Sequence, residues 1–281
     1  MNPSNSLASD AWSALSKNRA AWFSAIALTT MVLLVLLGPL VSPYEVDQTN
    51  WSKLAKPPSM QDGHIFGTDD LGRDLFVRTM YGGRISLMVG IVATLVSVLI
   101  GVSYGAISGF VGGKVDSIMM RIVDVLYAMP FLFFVILLMV FFGRSIFLIF
   151  VAIGAVNWLD IARIVRGQTL TIKGKEFVDA AKAGGVSTFR IIFRHIVPNL
   201  MGIVVVYVSL TFPQVILVES FLSFLGLGVQ EPMTSWGALV NQGARQMESS
   251  PWILLFPALF LAATLFLSLI HIRRCRRRLR C

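Results

Sequence analysis

Carboxylates stand in four places where chemistry is conceivable: the run GTDDLGRD at residues 67–74, and Asp124, Asp160 and Glu219 in or beside long uncharged stretches. Alternating acids and glycines can wrap a hard cation, but 67–74 lacks the length and the closing glutamate of a calcium loop. Asp69 and Asp74 are instead expected to pair with Arg73, Arg78 or Arg84 and hold a loop together. Glu219 follows a 20-residue uncharged run, with Gln214 just before it. An ionisable group so placed is a functional candidate by default. Either it lines a translocation path or gate together with Gln214, or it hydrogen-bonds to the backbone of the Ser223–Gly226 segment and does structural work. Asp124 and Asp160 are expected to pair with Arg121 and Arg163.

Nothing else points to covalent chemistry. His64, His195 and His271 fall in separate regions, and Cys275 and Cys281 lie in the last seven residues. No serine sits beside a placed base, and no GxxxxGK[ST] phosphate loop occurs. No catalytic residue, metal set or bound cofactor is expected, so any ATP hydrolysis has to be done by another chain.

The elements that carry these groups are membrane elements. Of the 281 residues, 56% are hydrophobic and 14% charged, well below the roughly 25% charged residues of a soluble domain. Several uncharged runs reach the roughly 20 residues that cross a bilayer. A net charge of +9 could suggest nucleic acid, but in a polytopic chain basic residues more often mark the cytoplasmic side. No nucleic-acid partner is expected; lipid is.

Trp22–Val41 is expected to be a first span that is not cleaved. Further spans are expected at about 86–107, 119–142 with Pro130 inside, 146–164, 200–219 with Pro213 inside, and 251–269. Residues 235–244 read as a short helix dipping partly into the membrane. The fold class expected is all-α and polytopic, with six transmembrane helices. With the N-terminus inside, cytoplasmic segments hold 17 of the 24 Lys and Arg. Without the six arginines of the tail, the contrast is still 11 against 7. Both ends are therefore expected in the cytoplasm of a multi-pass inner-membrane protein. The division expected is a cytoplasmic segment 1–20, a first span and outer loop 21–84, a core 85–270 and a basic tail 271–281.

That orientation places 166–198 inside. Lys173–Ala183 can form a helix with Phe177 and Ala181 on one face, ended by Gly184-Gly185. Ser187 or Thr188 can cap a second, with Phe189, Ile192 and Phe193 as its apolar stripe, and Pro198 can open the next span. From the residues alone, this hairpin docks a soluble partner, lies in lipid headgroups or packs internally.

Glu176 to Pro198, EFVDAAKAGGVSTFRIIFRHIVP, resembles the cytoplasmic loop of binding-protein-dependent ATP-binding-cassette importer permeases. Its core there is Glu-Ala-Ala, three residues, Gly; Asp179-Ala180-Ala181 and Gly185 fit with Asp for Glu, and His195 and Pro198 match the loop's end. GTDDLGRD with GGRISL at 82–87, and ESFLSFLGLG at 219–228 with Ser235-Trp236-Gly237, resemble the peptide/nickel branch, closest to the C-type subunit of oligopeptide permeases. The likeness covers about 15–268. Two departures stand out: Ala183-Gly184-Gly185 replaces the usual Ala-Leu-Gly, and the end reads SLIHIRRCRRRLRC instead of an acidic Gly-Asp-Gly-Leu-Arg-Asp segment.

The resemblance implies a type I importer permease fold whose coupling helix lies in a cleft of an ATPase subunit. The coupling residues it implies are Glu176, Phe177, Asp179, Ala180, Ala181, Gly184, Gly185, Phe189, His195 and Pro198. Implied partners are a B-type permease subunit forming a heterodimer, two ATPase subunits that hold ATP and Mg, a periplasmic peptide-binding protein and the peptide itself. The competing class, an ion-coupled carrier, would use Asp124, Asp160 and Glu219 as coupling groups. Inverted repeats and paired broken helices, its usual marks, are not seen.

Overall fold

The computed structural model describes residues 19–142 and 145–276, with side chains for 22–141, 145 and 150–268. The expectations for residues 1–18, Arg144 and the last five residues of the tail lie outside these. The described residues are helical, with loops and two isolated β-bridges, Ser59–His64 and Thr68–Asp74. The helices are α1 (Arg19–Val41), α2 (Leu75–Val111), α3 (Gly113–Ala128), α4 (Phe131–Phe142), α5 (Ile146–Lys173), α6 (Glu176–Ala183), α7 (Thr188–Ile191), α8 (Val197–Phe224), α9 (Trp236–Ala244) and α10 (Trp252–Arg276).

The all-α expectation holds, but six spans do not. Among the described residues, three helices are long and apolar enough to cross a membrane: Trp22–Val41, Leu75–Val111 and Thr188–Phe224. A fourth exists if the pair Gly113–Ala128 and Phe131–Phe141, bent by 88°, counts as one span. Two of the shortfalls have a local cause. Met129 is extended (φ −74°, ψ 132°) because the Pro130 ring excludes the helical region for the residue before it. From Phe150 onward α5 carries Asp160, Arg163 and Arg166. In α10 the apolar stretch described with side chains is Trp252–Ser268.

The chain divides into two compact units, 1–88 with 216–281, and 89–215. In the first, Val35, Met80 and Trp236 form a core with Phe66, Phe76 and Phe260 against it. Phe66 stacks on Phe256 with ring centres 4.0 Å apart. Helix α2 starts earlier than expected because Asp74 accepts the Val77 N–H at 2.9 Å, satisfying a first-turn donor. Its charged residues are accommodated individually. Arg84 Nε donates to the Val35 carbonyl at 3.1 Å, and the same guanidinium donates to that of Leu36. Pro39 cannot give Val35 the usual helical N–H, so Arg84 supplies the missing donor.

In the second unit, α2 and α5 approach closely over glycines. A Cβ on Gly101 would sit 2.7 Å from Ile161, and one on Gly109 would sit 2.8 Å from the Arg166 carbonyl. Gly105, between them on the same face, would meet the Ala162 carbonyl. Small residues four apart let helix backbones meet in an apolar medium. Asp124 pairs with Arg163 at 2.7 Å, not with Arg121, so the bond runs from α3 to α5. Arg166 forks onto Asp116 at 2.6 and 2.5 Å, joining the same two helices.

Candidate functional site

The hairpin 174–198 is carried on the end of α5. Helix α6 has Glu176 and Asp179 in its first turn and Lys182 in its last, the arrangement the helix dipole favours. It ends in a Schellman turn. Gly185 N donates to Lys182 O at 3.0 Å, and Val186 N donates to Ala181 O at 3.1 Å. Gly185 takes φ +73°, the left-handed region that glycine enters freely. A Cβ there meets nothing within 4 Å, so backbone conformation rather than space selects the glycine.

The hairpin has one buried and one exposed face. Val178, Ile191, Ile192, Ile196 and Leu200 are buried in a cluster with Val102, Ala106, Phe110, Ile161 and Val165; Ala181 and Val186 pack on it. The buried stripe of α6 is thus Val178 with Ala181, and Phe177, expected on the same face as Ala181, lies outside it. Phe177 (42% exposed) and Phe189 (71%) point outward, and so does Phe193. The Phe189 and Phe193 rings lie 4.6 Å apart. Of the expected coupling residues, Glu176, Phe177, Asp179, Ala180, Gly184, Gly185, Phe189 and Pro198 are exposed, while Ala181 and His195 are half-buried.

The second helix does not stop before the next one. It widens into a π-turn over Ile192–Ile196 and continues as α8. Pro198 explains the widening: it lacks the N–H that Arg194 O would receive, and its ring crowds that carbonyl. Ser187 holds the N-cap position without a side-chain hydrogen bond. Lys182 bonds Asp179 at 2.9 Å and lies 5.9 Å from the centre of the Phe110 ring.

Two further groupings lie in the first unit. Glu219 is fully buried and accepts hydrogen bonds from Ser223 at 2.7 Å and Ser86 at 3.1 Å, with Ser220 at 3.5 Å. Ser86 also accepts the Trp236 N–H, and Ser235 both caps α9 through Ala238 N and donates to Ser223. Glu219 thereby links α8, α2 and the start of α9. Its partners are the hydroxyls of Ser220 and Ser223 on its own helix and of Ser86 on α2, not the Ser223–Gly226 backbone. Gln214, expected to act with it, is exposed in the other unit.

The second grouping is the loop cluster. Asp69 accepts from Arg73 Nε at 2.7 Å and from the Leu71 and Arg73 amides, and Arg78 Nε lies 3.3 Å away. Burial opposes the Arg73 charge, but Asp69 and Glu231 more than offset it and hold the guanidinium above its ordinary pKa. Asp74 pairs with His64 at 2.8 Å, and Arg84 takes no part. Among the described residues no group of three His, Cys, Asp or Glu could hold a metal.

Comparison with known proteins identifies the family. The family model described as "Binding-protein-dependent transport system inner membrane component" matches residues 97–280, and "N-terminal TM domain of oligopeptide transport permease C" matches residues 6–58. The "Oligopeptide transport system permease protein OppC" of Escherichia coli K12 is 60% identical over 93% of this chain and 86% of its own. Its Haemophilus influenzae counterpart is 56% identical over 93% and 84%. The "Dipeptide transport system permease protein DppC" of Bacillus subtilis is 48% identical over 94% and 82%. The chain belongs to the family of binding-protein-dependent transport system inner membrane components, the permease subunits of bacterial ATP-binding-cassette importers.

Proposed function

We propose that this chain forms half of an oligopeptide path, the other half coming from an unlike B-type permease subunit, and that an ATPase subunit docks on its 176–198 hairpin. The observation that carries the docking reading is the two-faced hairpin. Phe177, Phe189 and Phe193 are held outward on a support whose opposite face is buried. Exposed aromatic groups rimmed by polar residues suit a protein contact with a few anchoring side chains. A rigid support lets a push on those anchors reach α5 and α8 instead of dissipating in the loop.

In this reading the hairpin is cytoplasmic, as are both chain ends, which agrees with the excess of Lys and Arg on that side. Loops 42–74 and 225–250 face a solute-binding protein that delivers peptide. ATP and Mg reside in two partner ATPases. Nucleotide binding draws the hairpins of the two permease subunits together and shifts a two-state path from inward-open to outward-open; hydrolysis resets it. Exposed Gln214 is the path-lining candidate, and buried Glu219 positions α9.

Oligopeptide as substrate rests on the likeness to the oligopeptide permease proteins of Escherichia and Haemophilus. A dipeptide substrate is the second reading, favoured by the Bacillus relative named for dipeptide transport. The test is ATP hydrolysis by the reconstituted complex with loaded binding protein, comparing peptides of increasing length, nickel and glutathione. Stimulation by longer peptides supports the first reading. A response confined to dipeptides supports the second, and one confined to nickel or glutathione rejects both.

A further inference from the structure

In the loop cluster two arginines share carboxylates unequally. Asp69 is fully buried and committed: one oxygen takes the Leu71 and Arg73 amides, the other takes Arg73 Nε. Arg73 Nη1 also reaches Glu231 at 3.0 Å. Arg78 has the poorer geometry. It is 2% exposed, its Nε lies 3.3 Å from the Asp69 oxygen that Arg73 Nε bonds, its Nη2 stands 3.6 Å from Glu231, and its Nε and Nη1 make no hydrogen bond among the described residues. A buried guanidinium without bonded acceptors is costly, and a closer carboxylate would relieve it. Glu231 is the opposite case. Its side chain is 63% exposed, and among the described residues one bond to Arg73 fixes its carboxylate at hydrogen-bond distance. Asp70, the other nearby acid, is engaged by Gln242.

We infer that Arg73 and Arg78 form a carboxylate-receiving site, that Glu231 is its exchangeable resident, and that the incoming group is an acidic side chain of the docked solute-binding protein. The inference rests on the importer reading above, which turns loops 42–74 and 225–250 toward that partner. Glu231 reaches the arginines from the open side, so an entering carboxylate can take its place without moving Asp69. Arg78 then gains the bonded acceptor that Glu231 does not provide. Release of Glu231 frees the 225–235 segment, which leads into the α9 cap at Ser235. Docking is thereby connected to the Glu219 network by covalent continuity.

The test uses the complete complex in nanodiscs with fluorescently labelled cognate binding protein. Glu231→Gln removes the resident competitor, and docking is expected to tighten by about 3- to 10-fold with a steeper dependence on salt. Glu231→Asp keeps the charge but shortens its reach, and a smaller change in the same direction is expected. This variant carries the test if the glutamine form fails to assemble. Docking with unchanged affinity and salt dependence in the variants overturns the site while leaving the importer reading intact. No docking to the unaltered complex overturns both.

Discussion

Val186 donates its amide hydrogen to the Ala181 carbonyl at 3.1 Å, closing α6 and turning the chain toward α7. Both residues pack on the buried cluster of the second unit. The turn that shapes the docking surface is therefore also the point at which the hairpin is fastened to α2 and α5.

Gly184 and Gly185 should respond differently to alanine. Gly184 has φ −75°, with its nearest Cβ contact at 3.4 Å, so Gly184→Ala should be near neutral. Gly185→Ala must hold a left-handed residue, which costs about 1 kcal/mol. The variant should insert normally but show reduced peptide-stimulated ATPase activity. Equal activity of the two variants would place the turn outside the coupling route.

Phe189→Ala and Val178→Ala separate docking from support. Phe189 is exposed and makes its described ring contact only with Phe193. Its loss should weaken ATPase association while leaving thermal unfolding of the permease unchanged. Val178 is fully buried, and its truncation should lower local stability by about 1–3 kcal/mol. Protease sensitivity of the 174–186 segment reads that second effect.

A bulkier residue at Gly105 should push α5 off α2. A Cβ there already meets the Ala162 carbonyl, and overpacking of this kind typically costs about 1–3 kcal/mol. Gly105→Val should insert in the membrane yet transport poorly, because α5 carries the hairpin. Uptake at the unaltered rate would show that close approach of these helices is dispensable.

Arg84 and Pro39 form a testable pair. With Pro39 present, Arg84→Met leaves the Val35 carbonyl without a donor, a loss of about 1–3 kcal/mol. In a Pro39→Ala background the helix supplies its own N–H, and the same change should cost less. A double-mutant cycle on thermal unfolding reads the difference; strict additivity would mean that Arg84 is not the replacement donor.

The hairpin was legible in the sequence because a glycine turn and a serine at an N-cap position leave local marks. Which face of α6 is buried was not. Phe177 and Val178 are both apolar neighbours, and packing against Ala106, Phe110 and Val165 decides between them. The number of spans was misread because hydropathy sees uncharged length but not the 88° bend at Met129-Pro130. The charged residues of α2 hid its first turns, since Arg84 finds its acceptors on α1, far off in sequence. Glycines at 101, 105 and 109 stand four apart in the sequence, but the helix they meet is set by packing against α5. Asp124 paired across helices with Arg163 instead of with its near neighbour, a choice set by how α3 lies on α5.

The central claim is that the 176–198 hairpin receives the ATPase. Its most direct measurement is site-directed crosslinking from Phe189→Cys, in a background with Cys275 and Cys281 replaced by serine, in the reconstituted complex during turnover. The account predicts a crosslink to the ATPase subunit, with yield changing between nucleotide-free and ATP-bound states. Labelling of that cysteine from the face where peptide is delivered, or peptide uptake by the membrane subunits without any ATPase, would contradict it.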